Sequence, residues 1–335
     1  MRRAHVLLRR VAAASIALAA LASAAPALAV DTVRFNLAWL PQGSTSGVLV
    51  AIAKGYYTEA GLDVSAMRGY GGQRTVNEID QGLFEFGYGD PISIMLNRAQ
   101  GGKTVMVGAI NTRWPAALCY VEKPGRKIKT ISDLKGLVIG GGAASPLHNV
   151  VPAWLQANGL PADYVKLLRL DPAVINTAFL DGSIDLAECW EGANKPVLEK
   201  MAQKNDMKIG VLRYRDFKLN LYGNGIVTSE KLIASNPDLV KRFMQATYRG
   251  YEFQSKNPAE AVELVARQQK LIDRSVLRQQ IEETTLLMQA PEAAGKKPGW
   301  MQEERMQSTV DFVRKAFSVT AAIKPADIYT NRFVD

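Results

Sequence analysis

The sequence predicts an α/β fold in two lobes, built from two doubly wound sheets joined by a two-strand hinge. Three observations carry that expectation. Strand-like runs end again and again in glycines and polar residues that open a helix, the signature of parallel βα units. The rhythm breaks near Asn111 and again near Tyr222, as though the chain left one lobe and later returned. At 335 residues the chain also exceeds what one core usually serves.

The first 29 residues are set aside before the lobes are counted. Arg2, Arg3, Arg9 and Arg10 make a basic start, Val11 to Leu21 is apolar, and Ala27-Leu28-Ala29 is a small-residue cleavage site. This is a secretory signal peptide, so a soluble exported protein is expected to begin near Val30. Its apolar run is too short for a membrane span, and no later stretch offers the required ~18 apolar residues. Four of the 41 Lys and Arg residues lie in that segment and none of the 32 acids, which leaves 37 against 32, or +5. That surface lacks the dense basic stripe of a nucleic-acid binder. His148 is the single histidine beyond the segment, so zinc clusters and His-based triads lack raw material, and no catalytic residue, metal or cofactor is expected. Export permits Cys119 and Cys189 to pair, but a core of this size does not need a disulfide; two buried free thiols are expected.

The first lobe opens with a strand over Arg34 to Ala38, followed by Trp39-Leu40-Pro41, a small-residue loop from Gln42 to Gly47, and an apolar helix from Val48 to Ala53. Lys54-Gly55-Tyr56-Tyr57 closes that helix, and Glu59 to Val64 starts a second strand. A Trp at a strand end before a pliable loop is how an open sheet walls a ligand crevice, although an ordinary βαβ unit with a packing Trp fits the same pattern. The run ending at Tyr70, Gly71 and Gly72 leads to a helix over Arg74 to Gln81. Leu83 to Tyr88 is a strand that stops at Gly89-Asp90-Pro91 before a helix from Ile92 to Arg98, and Lys103 to Ile110 is a buried strand. Asn111 to Trp114 then passes straight into another strand, Ala116 to Val121, with no helix between.

The second lobe has a short turn over Ile131 to Gly136 and a strand over Leu137 to Gly140. This runs into Gly141-Gly142-Ala143-Ala144-Ser145-Pro146 and a helix reaching Asn158. Small residues there let backbone approach a ligand beside a helix N-terminus, and His148 either faces that ligand or caps the turn. Neither the P-loop nor the dinucleotide spacing is present. Tyr164 to Leu170 and Ser183 to Glu188 are strands around a helix from Pro172 to Asp181. Glu188 ends the second of these, and Trp190 and Glu191 follow it; an aromatic there can stack a planar ligand and the two carboxylates can accept from an amine, although a packing Trp190 with solvated Glu188 and Glu191 fits the same pattern. Lys208 to Arg213 and Lys218 to Thr228 read as strands, with Tyr222 at the return crossing. Helices follow from Ser229, through Leu239 to Phe253, Pro258 to Gln269 and Ser275 to Met288, to a final one from Trp300 to Phe317, and the tail from Ile323 is extended. The division is therefore 30–110 with 223–335 as one lobe and 111–222 as an inserted lobe.

Several short motifs, in this order, resemble the solute-binding proteins of ABC importers for nitrate, sulfonates, taurine and thiamine-pyrimidine precursors. They are Trp39-Leu-Pro41, Val50 to Tyr57, Gly61 to Val64, Asp133 to Gly136, Gly182 to Asp185 and Asn236 to Phe243. Tyr329 to Phe333 resembles the thiamine-pyrimidine synthase-like branch. The resemblance implies a type II periplasmic binding protein, monomeric, that closes on a small solute and serves a membrane permease with its ATPase. It also implies that Trp39 stacks on a flat ligand, that Gly141 to Ser145 line the second lobe, that Glu191 faces the ligand, and that Cys119 and Cys189 lie near each other. Tyr70, Gly71, Gly72, Asp90, Asn111, Trp114, Ser145, His148, Trp190 and Tyr222 complete the expected binding set. The branch's synthases carry a cofactor-binding Lys, a nearby His and a Cys-rich iron motif. Gly89 and Ser93 stand at the first two positions here and the third is missing, so binding rather than catalysis is expected. A planar nitrogenous or aromatic solute suits Glu191; a sulfonate-type anion and a ligand-presenting sensor role are the alternatives.

Overall fold

The computed structural model describes residues 30–125, 128–142, 145–289 and 291–334. The expected signal peptide and Ala143 and Ala144 of the glycine-rich loop lie outside the described residues. Residues 32–335 pack as one unit.

The first sheet has the order β2-β1-β3-β10-β4, from strands Asp31–Asn36 (β1), Leu62–Met67 (β2), Phe86–Gly89 (β3), Thr104–Ala109 (β4) and Gly225–Ser229 (β10). The second has the order β7-β6-β8-β5-β9, from Ala116–Val121 (β5), Val138–Gly142 (β6), Lys166–Leu170 (β7), Leu186–Trp190 (β8) and Ile209–Arg213 (β9). Each sheet is mixed. β10 runs antiparallel to β3 and β4, and β5 antiparallel to β8 and β9. These reversed strands are the ones by which the chain enters each sheet from the other. Gly225, first in β10, lies opposite Gly89 at the end of β3, and Ala116, first in β5, lies opposite Trp190 at the end of β8. Both crossings therefore meet the sheets at their carboxyl edges, where open α/β sheets bind ligands. The crossings are bonded to each other: the Gly223 amide donates to the Asn111 carbonyl at 2.9 Å, and the Asn111 amide to the Asn224 carbonyl at 2.8 Å.

Helix α1 (Ser46–Ala53) follows a 3₁₀ turn over Gly43–Thr45, and Gly55 at φ 73° ends it before the short α2 (Tyr56–Glu59). α3 (Gly72–Asp80) and α4 (Pro91–Ala99) follow β2 and β3, while α5 (Leu147–Ala157), α6 (Pro172–Leu180) and α7 (Lys195–Gln203) serve the second sheet. After β10 come α8 (Glu230–Ser235), α9 (Pro237–Lys256), α10 (Pro258–Gln268), α11 (Arg274–Leu287), α12 (Glu303–Ala316) and α13 (Pro325–Ile328). α9 starts where Asn236 accepts from the Leu239 amide, and its Phe243 stacks on Phe86 of β3 at 3.9 Å. It also crosses α1 at glycines, since a Cβ on Gly250 would lie 2.1 Å from the Gly47 carbonyl oxygen. Gly250→Ala must push these helices apart, and a loss of about 2 kcal/mol in urea unfolding is expected.

Three elements differ from the pattern reading. α7 was not anticipated, although Asn194-Lys195-Pro196 is a fair start signal, with the proline in the first turn. Lys218 to Tyr222 is not a strand: Lys218 has φ 61°, which breaks an extended run, and Leu219, Leu221 and Tyr222 reach the core from a loop. The tail contains α13 rather than being extended throughout.

The free-thiol expectation is corrected outright, because Cys119 and Cys189 form a disulfide. β5 and β8 place Cys119 opposite Ala187 and Cys189 opposite Ala117, so the two cysteines are diagonal neighbours on one face, with Cα atoms 5.8 Å apart. That distance lies within bonding range.

Candidate functional site

At the end of β1, Asn36 Oδ1 accepts from the Ala38 amide at 2.9 Å and from Thr75 Oγ1 at 3.0 Å. Ala38 is thereby held at φ 61°, an uncommon conformation for a residue with a Cβ, and one found disproportionately at functional sites. The turn leaves Trp39 40% and Leu40 47% exposed. Backbone bonds from Gly69 to the Trp39 carbonyl and from Gly71 to the Ala38 carbonyl bring the end of β2 alongside. Tyr70 there is exposed, with the guanidinium groups of Arg68 and Arg74 4.8 and 5.0 Å from its ring centre. Gly71 and Gly72 begin α3; a Cβ on Gly72 would lie 2.8 Å from Asp90 Oδ2, so only glycine allows this approach. Asp90 caps α4 by accepting from the Ser93 amide and hydroxyl, and burial raises its pKa despite those bonds.

The two carboxyl edges face one another. The Ser44 amide, in the turn after β1, donates to the Gly192 carbonyl after β8 at 3.0 Å. Gln280 of α11 touches both sides, its Oε1 accepting from the Gly43 amide at 3.0 Å and its Nε2 donating to the Ala193 carbonyl. At the crossing, Asn111 Nδ2 donates to the Tyr88 hydroxyl at 2.9 Å, while Asn111 Oδ1 is buried without a partner among the described residues.

On the second sheet, alternation puts Leu186, Glu188 and Trp190 of β8 on the face opposite the disulfide. Trp190 meets Trp114 edge-on at 6.0 Å, and Trp114 lies 5.3 Å from Tyr214. The Ser145 hydroxyl donates to Glu188 Oε2 and accepts from the Leu147 amide at 3.0 Å. Burial pushes the Glu188 carboxyl up to about 7, against the opposing pull of Ser145 and the Trp190 indole. Two polar atoms, the Tyr214 hydroxyl and His148 Nε2, are buried without partners among the described residues. Burial and the charge of Arg169 lower the His148 pKa.

Glu188 has a consequence for stability. Its folded pKa lies above the ordinary 4.5, so its contribution is fully present below that pH and is lost as pH rises through about 7. Glu188→Gln removes this dependence. From pH 5 to 8 the wild-type protein is expected to lose about 2 kcal/mol relative to the variant, read from paired urea titrations.

Trp39, Tyr70, Gly71, Gly72, Asp90, Asn111, Trp114, Ser145, His148 and Trp190 thus gather at or beside the facing edges. Glu191 is there too, but each of its oxygens is taken. Arg213 Nε donates to one at 2.7 Å and Arg215 Nη1 to the other. Burial pushes the Glu191 carboxyl up, and the two guanidinium groups outweigh that and hold it low. Tyr222 is occupied elsewhere, its hydroxyl accepting from the Gln302 amide and its ring lying under Arg305. The glycine run has a packing role as well, since a Cβ on Gly140 would lie 2.5 Å from Ile184. Tyr214, Arg213 and Arg215 are absent from the expected residues. Glu188 is marked in the sequence as a strand-end carboxylate; nothing local marks Tyr214.

The family described as NMT1/THI5 like matches residues 42–261. The riboflavin-binding protein RibY of Chloroflexus aurantiacus is 28% identical over 91% of this chain and 86% of its own. An enzyme is also among the relatives: the 4-amino-5-hydroxymethyl-2-methylpyrimidine phosphate synthase of Candida albicans is 24% identical over 70% of each chain. The periplasmic aliphatic sulphonate binding protein SsuA of Escherichia coli has the same fold. Its TM-score is 0.64 at 18% identity, covering 89% of this chain and 91% of that one.

Proposed function

This chain belongs to the NMT1/THI5-like family, and from that premise we propose that it is an extracytoplasmic solute-binding protein that captures a small planar nitrogenous or aromatic solute. In this reading 30–110 with 223–335 form one lobe, 111–222 form the other, and the paired crossings are the hinge about which they close. The protein acts as a monomer in the periplasm and delivers its solute to an ABC permease and its ATPase. The observation that carries the reading is the bond from Ser44 to Gly192, which sets the loop after β1 against the loop after β8. An exposed Trp39 on one side and an aromatic set of Trp190, Trp114 and Tyr214 on the other suit a flat ring. Binding without catalysis fits Gly89 and Ser93, which offer neither an amine nor an imidazole where the synthases carry them.

Calorimetry with pyrimidine precursors, alkanesulfonates and aromatic acids tests the reading. Trp39→Ala is expected to weaken binding of the accepted solute at least tenfold. Its thermal midpoint should stay unchanged, because the side chain is already 40% exposed. Unaltered affinity would return Trp39 to a packing role, and tight taurine binding with no pyrimidine binding would favour the anion alternative.

A further inference from the structure

Resting on the solute-binding reading above, we propose that Glu188, Ser145 and Tyr214 form the specificity subsite, taking the hydrogen-bonding edge of an uncharged nitrogen heterocycle. Glu188 rather than Glu191 supplies the carboxyl. Arg213 and Arg215 already saturate Glu191, so a ligand reaching it would have to break a buried ion pair. Among the described residues Glu188 has no arginine partner; its carboxyl accepts from the Ser145 hydroxyl and the Trp190 indole.

Tyr214 is the second group of the subsite. It is 1% exposed and its hydroxyl has no partner among the described residues, although a buried hydroxyl left unpaired costs about 1–3 kcal/mol. Leu118 of β5 lies opposite both Glu188 and Leu212, and Tyr214, two residues beyond Leu212, lies 5.3 Å from Trp114, which meets Trp190, so Glu188 and Tyr214 share one face of the sheet. Together they offer what a heterocycle edge needs: a carboxyl to meet N–H or ring nitrogen, and a hydroxyl that both donates and accepts. Trp190 and Trp114 supply apolar surface beside them. A sulfonate brought next to Glu188 would meet a group that becomes anionic as pH rises, and the pairing would be repulsive. A site built on such hydrogen bonds rejects ligands that cannot make them.

The test is isothermal titration of the exported protein and of Tyr214→Phe, Glu188→Gln and Trp39→Ala. The probes are riboflavin, 4-amino-5-hydroxymethyl-2-methylpyrimidine and ethanesulfonate. At least one heterocycle is expected to bind more tightly than ethanesulfonate. Tyr214→Phe and Glu188→Gln are each expected to weaken that binding about tenfold, with Tyr214→Phe folding at least as stably as wild type. Unchanged affinity in both would mean that only water serves these groups, and it overturns the subsite. Binding of ethanesulfonate alone, or of no heterocycle, overturns it too. Sensitivity to Trp39→Ala with indifference to Tyr214→Phe and Glu188→Gln would leave the solute-binding reading standing while this one falls.

Discussion

Replacing both Cys119 and Cys189 by alanine is expected to lower unfolding free energy by about 4 kcal/mol, because the bond closes a long loop in the unfolded chain. The cysteines are 70 residues apart, and the loop they close holds β6, β7 and most of β8. The effect should appear as a lower urea midpoint in the double variant. Reductant should produce the same loss in wild type and none in the variant. Because both cysteines are fully buried, reduction should be slow until the protein opens. A midpoint that does not move would show that β5 and β8 hold without the link.

Glu191→Ala is the second large expectation. It leaves Arg215 and Arg213 facing an emptied site where β8 and β9 flank β5, with side-chain exposures of 15% and 34%. Stranding partly buried guanidinium groups costs up to about 3 kcal/mol, less here for the share that Arg213 keeps in solvent. The Glu191 pKa is depressed in the folded state, so its contribution is present above the ordinary 4.5 and lost as pH falls through the folded value. Acid titrations of stability should therefore be steeper for wild type than for Glu191→Ala. Arg215→Ala should cost more than Arg213→Ala, because it also loses the 3.2 Å bond to the Trp114 carbonyl. Equal and negligible losses would make the cluster a surface feature.

Periodicity and turn chemistry act over a few residues, and what they govern was legible in the chain. Trp39 after a strand, glycines before α3, Asp90 before α4 and the capping Asn236 each announce a local conformation, and each is found where its chemistry puts it. The chain passes between the sheets from β4 to β5 and from β9 to β10, with no α-helix intervening at either passage. Partnership is another matter. That Cys119 bonds Cys189 depends on the register of an antiparallel pair, and that Glu191 is silenced depends on Arg213 at the end of β9 and Arg215 in the turn after it. That Glu188 and Tyr214 share one sheet face depends on segments 26 residues apart being brought together on either side of β5. Sequence alone determined which strand ends carry the polar and aromatic groups, because those signals are local. Only the tertiary structure decided which of the groups are already spent on one another, because hydrogen bonds and ion pairs are made across space.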